Sequence, residues 1–188
     1  MGVDLPDGAV DRLADFAALL EERGAVLGVV GPSEGARIID RHILDCLRAA
    51  PHARGPECLD LGSGGGLPGL VLAIARPDLQ ICVIDRRSRK VGFVELAEER
   101  LGLRNVSCLL GEIEDLDLLV PCATARALAP VEKSWELAKP LLAEGGRLIY
   151  FAGKGFEGLP AHMEGVSCET VPPAVLELSG PLAIMTRN

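Results

Sequence analysis

Apolar residues along this chain recur first with a helical period and then in short bursts of strand length. From Asp7 to Arg23, Val10, Leu13, Ala17 and Leu20 share one helical face, and Gly24 supplies the stop. A second helix is expected after Pro32 and Ser33, with Ser33 as its N-cap and Ile38, Ile39, His42, Ile43, Cys46 and Leu47 as its stripe. A polar, proline-bounded break runs from Pro51 to Pro56. Beyond it the rhythm changes. Runs of strand length fall at Glu57–Leu61, Gln80–Asp85, Val106–Leu110, Ala123–Ala127 and Arg147–Ala152. Helical stretches at Gly69–Ala75, Lys90–Leu101 and Val131–Leu142 separate most of them. This alternation predicts an α/β fold, a mostly parallel sheet with helices on both faces. The crossover from Gly111 to Cys122 is short and acidic, with room for a turn or two of helix. Ser167–Val171 and Leu182–Thr186 have no helix between them and predict a terminal antiparallel pair.

Composition sharpens that picture. The chain has 188 residues, which suits one domain: a small N-terminal helical extension over 1–55 and an α/β core over 56–188. Hydrophobic residues are 48% and aromatics only 3%, so the core must be mostly aliphatic. No apolar run approaches the ~20 residues that cross a bilayer. The N-terminus is acidic, with no basic region feeding an apolar stretch, so a cytoplasmic protein is expected. The cysteines (Cys46, Cys58, Cys82, Cys108, Cys122 and Cys168) are widely spaced, with no C-x-x-C pair. They are expected as buried free thiols, and no metal site is expected. The formal net charge of −8 disfavours naked nucleic acid as a partner, because cationic neutralisation of phosphate supplies much of that affinity.

The chemistry concentrates in one loop, Asp60-Leu61-Gly62-Ser63-Gly64-Gly65-Gly66-Leu67-Pro68-Gly69, between the first strand and the first crossover helix. Glycines at Gly62, Gly64 and Gly66 let the backbone turn sharply and let a ligand approach main-chain atoms. The spacing departs from the dinucleotide fingerprint, whose third glycine would fall on Leu67. Asp60 at the loop's mouth would repel a pyrophosphate but suits a cationic amino-acid group. Asp85 ends the second strand, where a carboxylate accepts hydrogen bonds from both ribose hydroxyls. The pair favours S-adenosyl-L-methionine over a dinucleotide. The bland alternative is a glycine turn capped by Asp60 beside a solvated Asp85.

The loop resembles the D-x-G-x-G-x-G segment of class I S-adenosylmethionine-dependent methyltransferases. With its Leu67-Pro68-Gly69 ending it is similar to the bacterial 16S rRNA guanine-N7 methyltransferases, the glucose-inhibited division protein B family. Gly31-Pro32-Ser33-Glu34 and Asp40-Arg41-His42-Ile43-Leu44-Asp45-Cys46 resemble two further family segments. So do Leu72–Asp78, Thr124-Ala125-Arg126-Ala127 with Ala129-Pro130, Gly145-Gly146-Arg147, and Lys154-Gly155. The likeness runs from about Gly28 to Gly155.

The resemblance implies a Rossmann-like class I methyltransferase fold and cofactor contacts at Gly62, Leu67, Ile113, Glu114 and Arg126. Adding the residues read from the loop, the candidate cofactor-binding set is Asp60, Gly62, Gly64, Gly66, Leu67, Asp85, Ile113, Glu114 and Arg126. Arg126 and Lys154 are the candidate catalytic residues. Arg126 ends an otherwise small, apolar strand, so it points into a cleft or pairs with a buried acid, Glu114 or Asp60. Lys154 would meet phosphate or the substrate base, or else is a solvated turn lysine. The implied reaction is methylation of guanine N7 in 16S ribosomal RNA, on a ribosomal particle, by a monomer with no DNA or membrane partner. N7 attacks with a lone pair and needs no general base, which agrees with the lack of an evident acid–base dyad. A methyltransferase acting on a small molecule or protein, or a non-catalytic S-adenosylmethionine-binding protein, is the alternative.

Two features separate the chain from the family pattern. Glu112 stands where the family carries an arginine, and the stretch after Gly155 is short and contains Pro160. The one basic cluster, Arg86-Arg87-Ser88-Arg89-Lys90, follows Asp85 directly and reads as a phosphate-contacting edge or as a solvated helix start. The acidic excess sits elsewhere: residues 57–110 carry seven acids and seven bases, whereas 111–188 carry eleven acids and six bases.

Overall fold

The computed structural model describes residues 3–24, 26–28, 37–173 and 179–188, so Gly31–Glu34 and the expected Ser33 cap lie outside the described residues. Seven strands form one sheet: β1 (Glu57–Leu61), β2 (Gln80–Asp85), β3 (Val106–Leu110), β4 (Val120–Arg126), β5 (Leu142–Phe151), β6 (Val166–Val171) and β7 (Leu182–Arg187). Their order across the sheet is β3-β2-β1-β4-β5-β7-β6. The first five are parallel, and β7 runs antiparallel to both β5 and β6, which is the expected terminal pair. The order reverses at β1, with β2 on one side and β4 on the other. Parallel α/β sheets open a ligand crevice beyond the carboxyl ends of the strands at such a reversal.

Helices α1 (Ala9–Arg23), α2 (Leu44–Leu47), α3 (Gly69–Ala75) and α4 (Ser88–Leu101) share one apolar cluster with Cys58, Ile81, Val83, Cys122 and Ile149 on one sheet face. Helix α5 (Val131–Ala138) covers the other face, where Trp135 and Ala138 pack with Leu59, Leu61, Ala123, Ala125 and Leu148. Alternate residues of β1 and β4 therefore enter different cores, as the two-residue pleat requires.

Several sequence expectations shift for local reasons. Leu13, Ala17 and Leu20 of α1 are buried, joined by Ala9 and Phe16, but Val10 is 66% exposed, because the buried stripe is centred on Leu13, Phe16 and Leu20. The second helix is not uniform. Ile38–Ile43 is a π-helical turn, with the Leu44 N–H donating to the Ile39 carbonyl, before α2 begins. The wider turn leaves Ile39 exposed while Ile38 and Ile43 are buried. Strand β5 starts at Leu142, because a register irregularity against β4 carries it through Gly145 and Gly146. The cysteines are free, but only Cys46, Cys58 and Cys122 are buried. Cys168 is exposed, since it lies on the edge strand β6. Burial pushes the Cys46 thiol up to about 12 and Cys108 to about 11, which keeps both protonated and inert.

One buried amide ties the helical layer to the sheet. The Asn105 side-chain amide donates to the carbonyls of Ala73 (3.1 Å), Arg76 (3.3 Å) and Leu79 (3.0 Å), closing the C-terminal end of α3. Asn105→Ala leaves these carbonyls short of a donor in a buried place. Urea unfolding is expected to report a loss of about 2–3 kcal/mol, with the m-value unchanged.

Candidate functional site

A cleft of about 460 Å³ opens at the carboxyl ends of β1, β2, β3 and β4. Its wall begins with the main chain of Gly62, Ser63, Gly64 and Gly65, where β1 hands over to α3. Gly62 has φ +63, and a Cβ there would stand 2.6 Å from Leu128 Cδ1; its bare α-carbon is what lets the β4–α5 turn close against the loop. Ala127 of that turn is itself left-handed at φ 54. The turn is held by its Ala129 carbonyl, which accepts from Tyr150 Oη (3.0 Å) and Ser134 Oγ (3.0 Å).

Asp60 sits behind this wall, not in it. It is fully buried; its Oδ1 accepts from Thr124 Oγ1 at 2.7 Å and its Oδ2 from the Gly69 N–H at 2.8 Å. Gly69 admits this contact, since a Cβ there would lie 2.7 Å from the same Oδ2. Burial raises the Asp60 pKa above the ordinary carboxylate value, and the hydrogen bonds from Thr124 and Gly69 and the charge of Arg126 pull it back only in part. A direct approach of Asp60 to a ligand's ammonium is therefore not the arrangement found. The carboxylate fixes the two ends of the glycine loop.

Asp85 does line the cleft. Its Oδ2 accepts from the Gly64 N–H (3.0 Å) and its Oδ1 from the Arg87 N–H (2.9 Å), which leaves each oxygen a further lone pair. Ile113 and Glu114 line it too, from a 3₁₀ turn at Ile113–Asp115 that replaces a full crossover helix. Glu112 stands at the mouth, 3.8 Å from Arg86. Gly62, Gly64, Leu67 and Arg126 complete the part of the expected set that lines the cleft. Gly66 packs against Leu70 and is outside the lining, and Lys154 is exposed and also outside it.

Arg126 takes neither of the acid partners expected from the sequence. Cys122, Thr124 and Arg126 project to the face covered by α1–α4, whereas Ile113 belongs to the other core. Asp60 on that face is already engaged. Arg126 instead pairs with Asp45 of α2, Nε to Oδ2 at 3.5 Å, while its Nη2 meets the Arg41 carbonyl (3.2 Å) and His42 Nδ1 (2.8 Å). A guanidinium only donates, so His42 Nδ1 is the acceptor and its ring is the Nε2–H tautomer. The sequence also missed Ala127, Leu128, Ala129, Lys133 and Leu137 as lining residues. The Ala129-Pro130 step into α5 was the available signal, since Pro130 is that helix's N-cap. Of the basic cluster, Arg86, Arg87 and Lys90 line the cleft.

The buried Asp60 makes a pH prediction. Its folded pKa is raised, so the wild type loses stability as pH climbs from about 3.8 through the folded value, and the loss is complete above it. Asp60→Asn keeps one acceptor for Gly69 and offers a donor to Thr124 Oγ1, without the charge. Urea unfolding from pH 4 to 7.5 should show the variant gaining on the wild type as pH rises, then running parallel to it.

Comparison with known proteins identifies the family and the fold. A family model for rRNA small subunit methyltransferase G matches residues 9–160. A ribosomal RNA small subunit methyltransferase G from Kineococcus radiotolerans is 40% identical over 148 residues, 77% of this chain and 58% of that protein. The protein of the same name from Salinispora arenicola is 35% identical over 167 residues, 84% of this chain and 69% of that one. The chain thus spans roughly three-fifths to two-thirds of the length of these relatives. Among solved structures, a methyltransferase from Geobacter sulfurreducens superposes with TM-score 0.62 at 17% identity, covering 100% of this chain and 93% of that one. MtNAS in complex with S-adenosylmethionine gives 0.60 at 17% identity, covering 95% and 72%. These two share the fold. The matched residues and the identity to the named relatives together place the chain in the rRNA small subunit methyltransferase G family.

Proposed function

We propose that the chain transfers a methyl group from S-adenosyl-L-methionine to N7 of a guanine in 16S ribosomal RNA, presented within a small-subunit particle. The observation that carries this reading is the cleft at the β1/β4 reversal, bounded by Asp85 on the β2 side and Arg126 on the β4 side over a bare glycine main chain.

The residues fit the cofactor. The cleft volume of about 460 Å³ lies within the range of small-molecule sites. Asp85 keeps lone pairs for two ribose hydroxyls, and Ile113 offers an apolar edge beside Glu114 for a purine. When bound, the cofactor supplies a methyl group on a sulfonium that is already a strong leaving group. The chain's own work is alignment. The Gly62–Gly65 main chain and Asp85 fix the donor side, and Arg126 with the Ala127–Ala129 turn shapes the acceptor side. Holding the two reactants in line supplies several kcal/mol of the barrier reduction, about 7–11 at best. No histidine or cysteine is among the described residues lining the cleft, which suits a nucleophile that carries no proton.

Titration calorimetry with S-adenosylmethionine should show one site, weakened about tenfold or more by Asp85→Ala. Tritium from labelled cofactor should appear in RNA of small-subunit particles lacking the modification. Label in an extracted metabolite or a protein instead would indicate another acceptor, and binding without any transfer would indicate a non-catalytic cofactor-binding protein.

A further inference from the structure

We propose that Asp45 is a positioning residue that aims Arg126 at the reacting centre, through an anchor running to the antiparallel edge of the sheet. The proposal rests on the methyl-transfer reading above and adds a residue to it.

The Asp45 carboxylate is 12% exposed and divided between two arginines. Oδ1 accepts from Arg48 Nη1 at 2.7 Å, and Oδ2 faces Arg126 Nε at 3.5 Å. Arg48 is itself 5% exposed and donates onward to the carbonyls of Gly180 (3.0 Å) and Val171 (3.4 Å), at the two ends of the connection between β6 and β7. The carboxylate is thus held from the antiparallel edge of the sheet, not by α2 alone. Its second oxygen is left to orient Arg126.

Counting donors shows what that orientation achieves. A guanidinium has five N–H groups in a fixed plane. Nε faces Asp45, and the Nη2 pair meets the Arg41 carbonyl and His42 Nδ1. Nη1 has no hydrogen bond among the described residues, and Arg126 lines the cleft. A plane held by two hydrogen bonds at Nη2 and by the Asp45 charge beside Nε leaves the two Nη1 donors for Arg126 to present to substrate. The order β3-β2-β1-β4 puts Asp85 and the loop on one side of the reversal and Arg126 on the other, so the free Nη1 edge serves the acceptor side. The π-helical turn supplies two of the three pins, Arg41 and His42, immediately before Asp45.

A pure fold-holding role for Asp45 would act through Arg48 and leave Arg126 unaffected. The test is a cycle of Asp45→Asn, Arg126→Lys and the double variant, read by two measurements. The first is the 15N-labelled Arg126 Nε–H resonance, assigned by its loss in Arg126→Lys. It should exchange slowly with water in the wild type and rapidly in Asp45→Asn. The second is methyl transfer to unmodified small-subunit particles. There kcat should fall about tenfold in Asp45→Asn with little change in KM, and the double variant should be no slower than Arg126→Lys alone. If Arg48, left without its anion, unfolds Asp45→Asn, then Asp45→Asn with Arg48→Met removes the stranded cation and is read in the same way. Wild-type exchange and kcat in a folded variant, or effects that multiply in the double variant, would overturn the proposal. If the wild type transfers no methyl group to the particles, the reaction assigned above fails while the exchange measurement still decides the tether.

Discussion

Everything at the cleft depends on one buried carboxylate. Asp60 connects β1 to the hydroxyl of Thr124 on β4 and to the first N–H of α3, across a loop that must leave the strand, turn on glycines and re-enter as helix. An ionised group in so dry a place is costly unless its oxygens are satisfied. Two short hydrogen bonds satisfy them here, and Arg126 adds a distant favourable charge. The loop is therefore pinned at both ends, and the Gly62–Gly65 main chain between them lines the cleft. Asp85 completes the frame by accepting from Gly64 halfway along.

The same accounting explains why the charged side chains fall where they do. Thr124 and Arg126 are two residues apart on β4, so they leave the sheet on one face. Thr124 uses Asp60, and Arg126, one pleat nearer the opening, reaches Asp45. Asp45 in turn neutralises Arg48. Asp45 is shared between the two arginines, and the buried Asp60 adds a more distant negative charge near Arg126.

Much of this was legible in the sequence, and the rest was hidden for identifiable reasons. Strands β1, β2 and β3 begin and end where their apolar runs do, and the terminal antiparallel pair follows from two strands with no helix between them. The glycine loop and Asp85 meet in one cleft, as their places at the ends of adjacent strands imply. What local pattern could not carry was partnership. That Asp60 is consumed by Thr124 depends on strand pairing, and that Arg126 is consumed by Asp45 depends on helix packing, both between residues more than sixty positions apart. The π-helical turn was hidden because Ile39 keeps helical spacing with Ile43 although the wider turn drives it to solvent. The start of β5 was hidden because Gly145-Gly146 looks like a loop and is a bulge.

Charge is where the sequence total misleads most. The chain carries a formal −8, which by itself argues against an RNA partner. The cleft is different: Arg86, Arg87, Lys90, Arg126 and Lys133 face it, against Asp85, Glu112 and Glu114. Five cations against three carboxylates give the lining a small formal positive excess on an otherwise acidic molecule, with Arg126 and Lys133 also paired to Asp45 and Glu136. Lys90 is drawn inward, donating to the Gly28 carbonyl, and burial lowers its pKa. Screening confines such a field to about 10 Å at moderate salt. A small local field of this kind attracts a phosphate already delivered to the mouth and does little for a free strand at a distance, while the acidic remainder repels it. For the proposed RNA substrate, that combination favours a guanine fixed in a folded particle over the same guanine in extended RNA.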